Sequence, residues 1–128
     1  MKKDQFLQIV SKEQALKLKS LGFSWEDIGS YYNLEEDSDY LWHGSQENMN
    51  TYPMAAAAPT VSLALKWIRD VQSYDAIIIP MIMGNGKKMY HVDYFYDKIK
   101  DSDVGIYVGY EEAESNALNH ILKRLLKS

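Results

Sequence analysis

The stretch that decides the fold is AIIIPMIMGNGKKMYHVDYFY, residues 76–96. It opens with an apolar run of eight residues, 76–83, which is too short to cross a bilayer and has the length of a β-strand. Asn85-Gly86 then predicts a type I′ hairpin turn, because both residues tolerate positive φ angles. Since proline cannot donate a backbone hydrogen bond, Pro80 places the first strand at a sheet edge or at a bulge.

The return strand, 88–96, alternates two kinds of side chain. One side carries the predicted core face, Tyr90, Val92, Tyr94 and Tyr96. A polar link is predicted over 97–103, followed by a short strand over 104–109, where valine and isoleucine alternate with glycine and tyrosine.

Helical patterns flank these strands. Pro59 is typical of a first helical turn, and apolar residues recur at helical spacing over 61–71. A second helix is predicted from Tyr110, with acids in its first turn and bases near its end, as the helix dipole favours. The sequence therefore predicts an α+β fold, in which a three-stranded antiparallel meander carries both helices on one face (α-β-β-β-α, residues 59–128) and leaves the other face partly open.

An N-terminal extension, residues 1–58, precedes this unit within a single predicted domain, 1–128. We expect a short strand over 6–10 and a short helix that begins with the capping box Ser11 to Gln14 and ends at Gly22. The segment 24–34 fits either a helical turn or a strand, and 35–58 is expected to be mostly loop.

Charge is unevenly distributed along the extension. Residues 25–58 contain seven acids and no lysine or arginine, although the whole chain has a net charge of only −4. The same segment is rich in aromatic residues, and the candidate partner-binding surface consists of Trp25, Tyr31, Tyr32, Tyr40 and Trp42. Tyrosine and tryptophan bury large areas at low entropic cost, which favours a recognition surface. The alternative is that these rings pack a long loop onto the core.

Catalytic and metal motifs are not apparent. The chain has no cysteine, which excludes disulfides, thiol catalysis and thiolate metal sites. Its histidines lack metal-ligand spacing, so neither a metal nor a cofactor is expected. An enzyme site assembled from distant residues such as His91, Asp93 and Tyr94 stays an alternative. The N-terminus is too polar for a signal peptide, which favours a cytoplasmic location without a membrane span.

The helix-strand-strand-strand-helix order resembles the double-stranded-RNA-binding domain, and residues 59–63 are similar to the start of that family's first helix. The resemblance implies a nucleic-acid-binding scaffold, on which Lys87 and Lys88 would be candidate anion contacts. That family binds phosphates through a lysine-rich start of its last helix, whereas this chain has Glu111, Glu112 and Glu114 there. Carboxylates repel a phosphate track, so the resemblance covers the fold better than the function.

A second resemblance rests on residues 21–23, Tyr31-Tyr32, 58–69 and 110–113. These are similar to the corresponding parts of small uncharacterised proteins of gut Bacteroidetes and their phages or prophages. The resemblance implies a cytoplasmic protein that a mobile element could have contributed, and it implies no functional residue.

The sequence therefore favours a non-enzymatic binding or accessory protein, with a protein partner or a second copy of the chain as its ligand. The alternative is a nucleic-acid-binding domain that uses the basic N-terminal residues together with Lys87 and Lys88.

Overall fold

The computed structural model describes residues 8–24, 28–44 and 48–126, apart from the side chains of residues 102 and 103. These residues form three α-helices and two three-stranded antiparallel sheets, an α+β architecture as the sequence predicts. The elements in chain order are α1 (Lys12–Ser20), β1 (Ser30–Asn33), β2 (Leu41–His43), a 3-10 turn (Met49–Thr51), β3 (Ala55–Ala57), α2 (Val61–Trp67) with a π-helical continuation (Ile68–Gln72), β4 (Tyr74–Ile82), β5 (Lys88–Tyr96), β6 (Ile99–Tyr107) and α3 (Tyr110–Leu126).

The C-terminal sheet has the strand order β4-β5-β6. Among the described strands β4 pairs with β5 alone, so Pro80 lies in an edge strand, as predicted. On β5 the predicted core face is confirmed for Val92 and Tyr94, which are buried, whereas Tyr96 at the strand end is exposed. Helix α3 covers this inner face.

The β4–β5 hairpin is present, but the predicted turn type is wrong. Gly86 N donates to Met83 O at 2.8 Å, and only Gly86 has a positive φ in this loop, at 84°. A type I turn followed by a glycine at positive φ forms a three-residue hairpin loop with a bulge, which connects the strands as well as a type I′ turn does.

The predicted polar link over 97–103 is also wrong, and so is the short last strand. β6 already begins at Ile99 and runs for nine residues. The connection is a two-residue loop, Asp97-Lys98, whose φ angles of 49° and 71° are those of a type I′ turn. A bulge between Asp93 and Phe95 absorbs the extra polar residues of β6. Because these residues are polar, the first half of β6 lacks the alternation of apolar residues that predicts a strand.

The N-terminal sheet has the order β2-β1-β3 and corrects the predicted loop over 35–58. The ambiguous segment 24–34 contains strand β1, and residues 25–27 lie outside the described part of the chain. The strands are three or four residues long, and β3 consists only of alanine. Strands this short do not show the alternation of apolar and polar residues by which a strand is predicted from sequence. All three alanines are buried, and their small side chains allow β3 to lie close to α1.

The signals at the ends of α1 are confirmed. Ser11 and Gln14 form the capping box, and the helix ends in a Schellman motif in which Phe23 N donates to Leu18 O, with Gly22 at φ 91°. The predicted strand over 6–10 is reduced, within the described residues, to a bridge between Ile9 and Thr60.

Helix α2 begins later than predicted. The Thr60 side chain caps it by accepting from Leu63 N, so Pro59 precedes the helix instead of occupying its first turn.

One cluster of buried side chains includes residues of both sheets and all three helices. Trp67 lies in it, 3% exposed, with its ring edge-to-face against Phe23 at 5.2 Å. A polar contact also crosses the helices, because Gln14 Nε2 donates to Asn119 Oδ1 at 2.9 Å. The two sheets therefore share a core.

Candidate functional site

The most exposed aromatic pair of the N-terminal sheet is formed by Tyr40 and Trp42. Their rings meet edge-to-face with centroids 5.0 Å apart, and the residues are 62% and 40% exposed. In the ladder Trp42 lies opposite Tyr31, so the pair continues onto strand β1. An edge-to-face pair on the surface presents two large apolar rings in a defined orientation.

A shallow groove lies next to Tyr31 on the same sheet. Its volume is about 270 Å³, and it is lined by Tyr31, Asn33, Met49, Tyr52, Met54 and Ala55. Tyr52 and Met54 are 40% and 50% exposed at its rim. We call the Tyr40–Trp42 pair and this groove together the acidic aromatic surface.

The acidic residues of the acidic aromatic surface lie in the connection between β1 and β2. Glu35, Glu36, Asp37 and Asp39 are all exposed there. Carboxylates around exposed rings create a negative rim about an apolar centre, a combination that complements a cation carried on an apolar stem.

Two lysines of α1 hold this segment in place. The Lys12 ammonium donates to Glu36 O at 2.7 Å and to Ser38 O at 3.0 Å, both in the β1–β2 connection. Lys19 donates to Tyr52 O at 2.6 Å and to Ala55 O beside the groove. Partial burial lowers the pKa of Lys19 below its ordinary value. Both lysine ammonium groups therefore donate hydrogen bonds to backbone carbonyls within residues 25–58.

Asn50 lies in the 3-10 turn next to Met49 of the groove and holds this turn in place. Its side-chain amide donates to Phe23 O at 2.7 Å, and its carbonyl oxygen accepts from Ala57 N at 2.9 Å. One side chain thus joins β3 to the end of α1, replacing ladder hydrogen bonds that such short strands cannot supply.

The structure separates the five residues that the sequence suggested as a partner-binding surface. Tyr40 and Trp42 are exposed and adjacent, and Tyr31 is half-buried beside them. Tyr32 belongs to the core, where its hydroxyl donates to Val10 O at 2.7 Å. Trp25 lies outside the described residues. Sequence analysis missed Met49 and Met54, although their position near Tyr52 in the acidic segment was a usable signal.

The candidate anion contacts lie at the far end of the molecule's second sheet. Lys87 and Lys88 are exposed at the β4–β5 hairpin, and the Lys88 ammonium lies 5.5 Å from the centroid of the Tyr90 ring. Lys87 N donates to Asn85 Oδ1, which stabilises the turn.

The three residues of the alternative enzyme site do not converge. His91 Nε2 lies 3.4 Å from Asp93 Oδ1, but Tyr94 points to the opposite side of the strand and stacks on His120 with centroids 4.0 Å apart. The ladder does place Ser30 Oγ 2.8 Å from His43 Nδ1, a contact that the sequence did not suggest. No described acid bonds to that imidazole in the way a catalytic triad requires.

A larger groove of about 720 Å³ lies between the bulge of β6 and the end of α3. Its central carboxylate, Asp101, accepts from the Tyr74 hydroxyl at 2.7 Å and lies 3.2 Å from the Arg124 guanidinium. These contacts neutralise the carboxylate and brace α3 against the sheet. Within the described residues no group of histidines and carboxylates is arranged to hold a metal ion.

No helix in the described part of the chain is long and apolar enough to span a membrane. A scan against protein-family models finds no match for this chain, and searches of curated proteins and of solved structures find none either.

Proposed function

We propose that this chain is a non-enzymatic binding protein that holds an extended, basic segment of a protein partner on its acidic aromatic surface. The observation that carries the proposal is the exposed Tyr40–Trp42 pair, since aromatic rings dominate the energetics of most protein interfaces. The neighbouring groove offers methionine and tyrosine walls, which adapt to apolar side chains of varied shape.

Charge selects the class of partner. The carboxylates of the β1–β2 connection lie beside the rings, and residues 25–58 contain seven acids and no lysine or arginine, so the Lys12 ammonium that reaches this connection offsets only part of the negative charge. A partner rich in lysine or arginine therefore gains both attraction at long range and contacts with the ring faces. An acidic partner is repelled at the same place.

The surface is also organised before binding. Lys12 and Lys19 tie its two ends to α1, and Asn50 ties the 3-10 turn beside the groove to Phe23. A surface that is already ordered loses less conformational entropy when a ligand arrives, so more of the contact energy becomes affinity.

Fluorescence anisotropy with a labelled synthetic peptide tests this proposal. The probe alternates lysine or arginine with leucine or phenylalanine, and its matched control replaces every base with glutamate. We expect the basic peptide to bind and Trp42→Ser to weaken its binding at least about tenfold. Tyr96→Ser removes a comparably exposed ring, 52% exposed, from the other sheet and serves as the control variant. Equal binding of the acidic peptide, or an equal loss in Tyr96→Ser, would contradict the proposal.

Nucleic-acid binding, the second candidate, has weaker support. Of the lysines suggested for it, Lys12 and Lys19 donate to backbone carbonyls within residues 25–58, whereas Lys87 and Lys88 are exposed at the β4–β5 hairpin. We expect duplex RNA and DNA to bind no more tightly than about 10 µM at physiological salt, the level of nonspecific phosphate contact. Submicromolar affinity that is lost in the Lys87→Glu, Lys88→Glu variant would reverse this ranking.

A further inference from the structure

The outer face of the C-terminal sheet, opposite α3, is exposed and mostly apolar. The alternation of the strands directs Ile77, Ile79, Phe95, Val104 and Ile106 to this side. Ile77 is 44% exposed, Ile106 51% and Val104 55%. A half-exposed aliphatic side chain is common on protein surfaces, but two rows of them, on β4 and on β6, flank the central strand here, and such a concentration is typical of an interaction site.

The size of this outer face suits a reversible association. Three strands of nine residues span roughly 30 Å by 14 Å, a projected area on the order of 400 Å². Two such faces together bury on the order of 800 Å² in projection, and more when the relief of the side chains is counted, whereas a standard interface buries roughly 1,600 Å² in total. A contact of this size lies at the low end of protein interfaces, where weak and transient associations are found.

A polar pair lies at the centre of the outer face. His91 Nε2 is 3.4 Å from Asp93 Oδ1, and the Lys100 ammonium is 3.9 Å from the same oxygen. Asp93 Oδ1 is buried, and none of the described residues donates a hydrogen bond to it. The Asp93 side chain keeps 15% of its surface exposed, so a molecule that covers this face takes the carboxylate out of water and gains by donating a hydrogen bond to it.

The register of the sheet shows how a second copy would supply that donor. Ile78, Val92 and Gly105 align across the three strands. A twofold axis parallel to this line, between two facing sheets, places His91 of one copy over Asp93 of the other, and the reverse. The same axis places Ile79 of one copy over Ile77 of the other, and Ile106 of one copy over Val104 of the other. A twofold axis along the strands would instead place Asp93 over Asp93.

We infer that a second copy of this chain covers the outer face, with the two sheets stacked and crossed His91–Asp93 contacts at the centre. The charges of this face are few and paired, Asp93 with Lys100 and Asp75 with Arg69, so nothing on it selects a strongly charged partner. Face-to-face packing of two sheets is a stable arrangement, and it buries the apolar residues that α3 leaves uncovered. This dimer is independent of the acidic aromatic surface, which belongs to the other sheet.

Sedimentation of the full chain over a concentration series tests the dimer. We expect a reversible monomer–dimer equilibrium, and we expect Ile106→Lys to raise the dimer dissociation constant at least about tenfold, since it buries an unpaired charge. Leu16→Lys changes another exposed apolar residue, 40% exposed, in helix α1 and should leave the equilibrium unchanged. A wild-type chain that stays monomeric up to about 1 mM, or an Ile106→Lys variant that dimerises like the wild type, would overturn the inference.

A charge swap tests the crossed arrangement. His91→Asp alone places carboxylates over one another and should weaken the dimer at least about tenfold, whereas His91→Asp combined with Asp93→His restores both contacts. Thermal unfolding of each variant confirms that it is folded. A folded double variant that dimerises no better than the single variant would refute the crossed contacts and with them the proposed interface.

Discussion

The two sheets have the same number of strands and the same antiparallel pairing, yet they are held together in different ways. The C-terminal sheet has strands of nine residues joined by two tight hairpins, and its backbone ladder is continuous apart from one bulge. The N-terminal sheet has strands of three or four residues, and side chains of Lys12, Lys19 and Asn50 bond to its backbone. Long strands stabilise themselves through their ladder, whereas short ones depend on a few polar side chains.

This difference matters for binding. A sheet held by side-chain contacts can carry irregular connections, and the acidic β1–β2 connection and the groove beside β3 are of that kind. The C-terminal sheet offers a flat and regular face instead. An irregular surface suits an extended segment, and a flat surface suits a second sheet.

The largest expected effect concerns the shared core. Trp67→Ala should lower the free energy of unfolding by roughly 3 to 5 kcal/mol, because Trp67 is buried against Phe23. Trp42→Ala removes the same side chain from the surface and should change stability by no more than about 0.5 kcal/mol. Urea unfolding of both variants gives the comparison. Similar losses in the two variants would mean that Trp42 also supports the core.

The next effect distinguishes the two sheets. Asn50→Ala removes the hydrogen bonds to Phe23 O and from Ala57 N and should cost about 2 kcal/mol. Asn85→Ala, the control, removes an amide that bonds only to the exposed turn of the β4–β5 hairpin and should cost about 0.5 kcal/mol. Hydrogen exchange should show faster exchange at Ala57 N in Asn50→Ala, with Val92 N unchanged. Equal acceleration at both amides would show that the sheets unfold together.

Tyr32 gives the N-terminal sheet a dependence on alkaline pH. Burial and the nearby Asp39 raise the pKa of the Tyr32 hydroxyl above its ordinary value of 10.0. The fold therefore favours the neutral phenol, so this contribution is fully present below about pH 10 and is lost as pH rises through the higher pKa of the folded state.

Tyr32→Phe should cost about 1 kcal/mol at neutral pH, because Val10 O loses its donor. It should also reduce the fall in melting temperature between neutral and about pH 11, measured by circular dichroism. Tyr96→Phe, in the exposed end of the other sheet, should retain the fall seen in the wild type. An unchanged alkaline fall in Tyr32→Phe would contradict the role given to Tyr32.

The smallest effects separate the two hairpins of the C-terminal sheet. Gly86→Val should destabilise the fold by about 1 kcal/mol through its backbone alone, since φ is 84° and no atom lies within 4 Å of an added Cβ. Lys98→Gly should stabilise it by a similar amount, because Lys98 has a φ of 71°. Thermal melts measure both shifts, and shifts of the same sign would contradict these turn geometries.

Sequence pattern was sufficient where local signals were strong. The apolar run before Gly84-Asn85-Gly86, the capping box at Ser11 and the charge order of α3 each specify an element with few alternatives. The start of β6 was not predicted, because Lys100 and Asp101 are polar strand residues and because Asp97-Lys98 is an unusual pair for positive φ angles. Strand β3 was not predicted, because a run of alanines has no alternation of apolar and polar residues.

The candidate site was predictable in composition but not in arrangement. The acidic segment and its aromatic residues are visible in the sequence. Which of the two adjacent tyrosines is buried depends on strand register, and the alternation of β1 directs Tyr32 inward and Tyr31 outward. The roles of Lys12 and Lys19 could not be foreseen, because their acceptors lie 24 to 36 residues away along the chain.

The methionine methyl groups provide the most direct test of the central claim that the acidic aromatic surface binds a basic segment. Of the six methionines, Met49 and Met54 line the groove, whereas Met81 and Met89 lie on the outer face of the C-terminal sheet. A ¹³C-methyl-methionine NMR titration with the basic peptide should shift Met49 and Met54 saturably and leave Met81 and Met89 in place. Shifts at Met81 and Met89 with none at Met49 and Met54 would contradict the account.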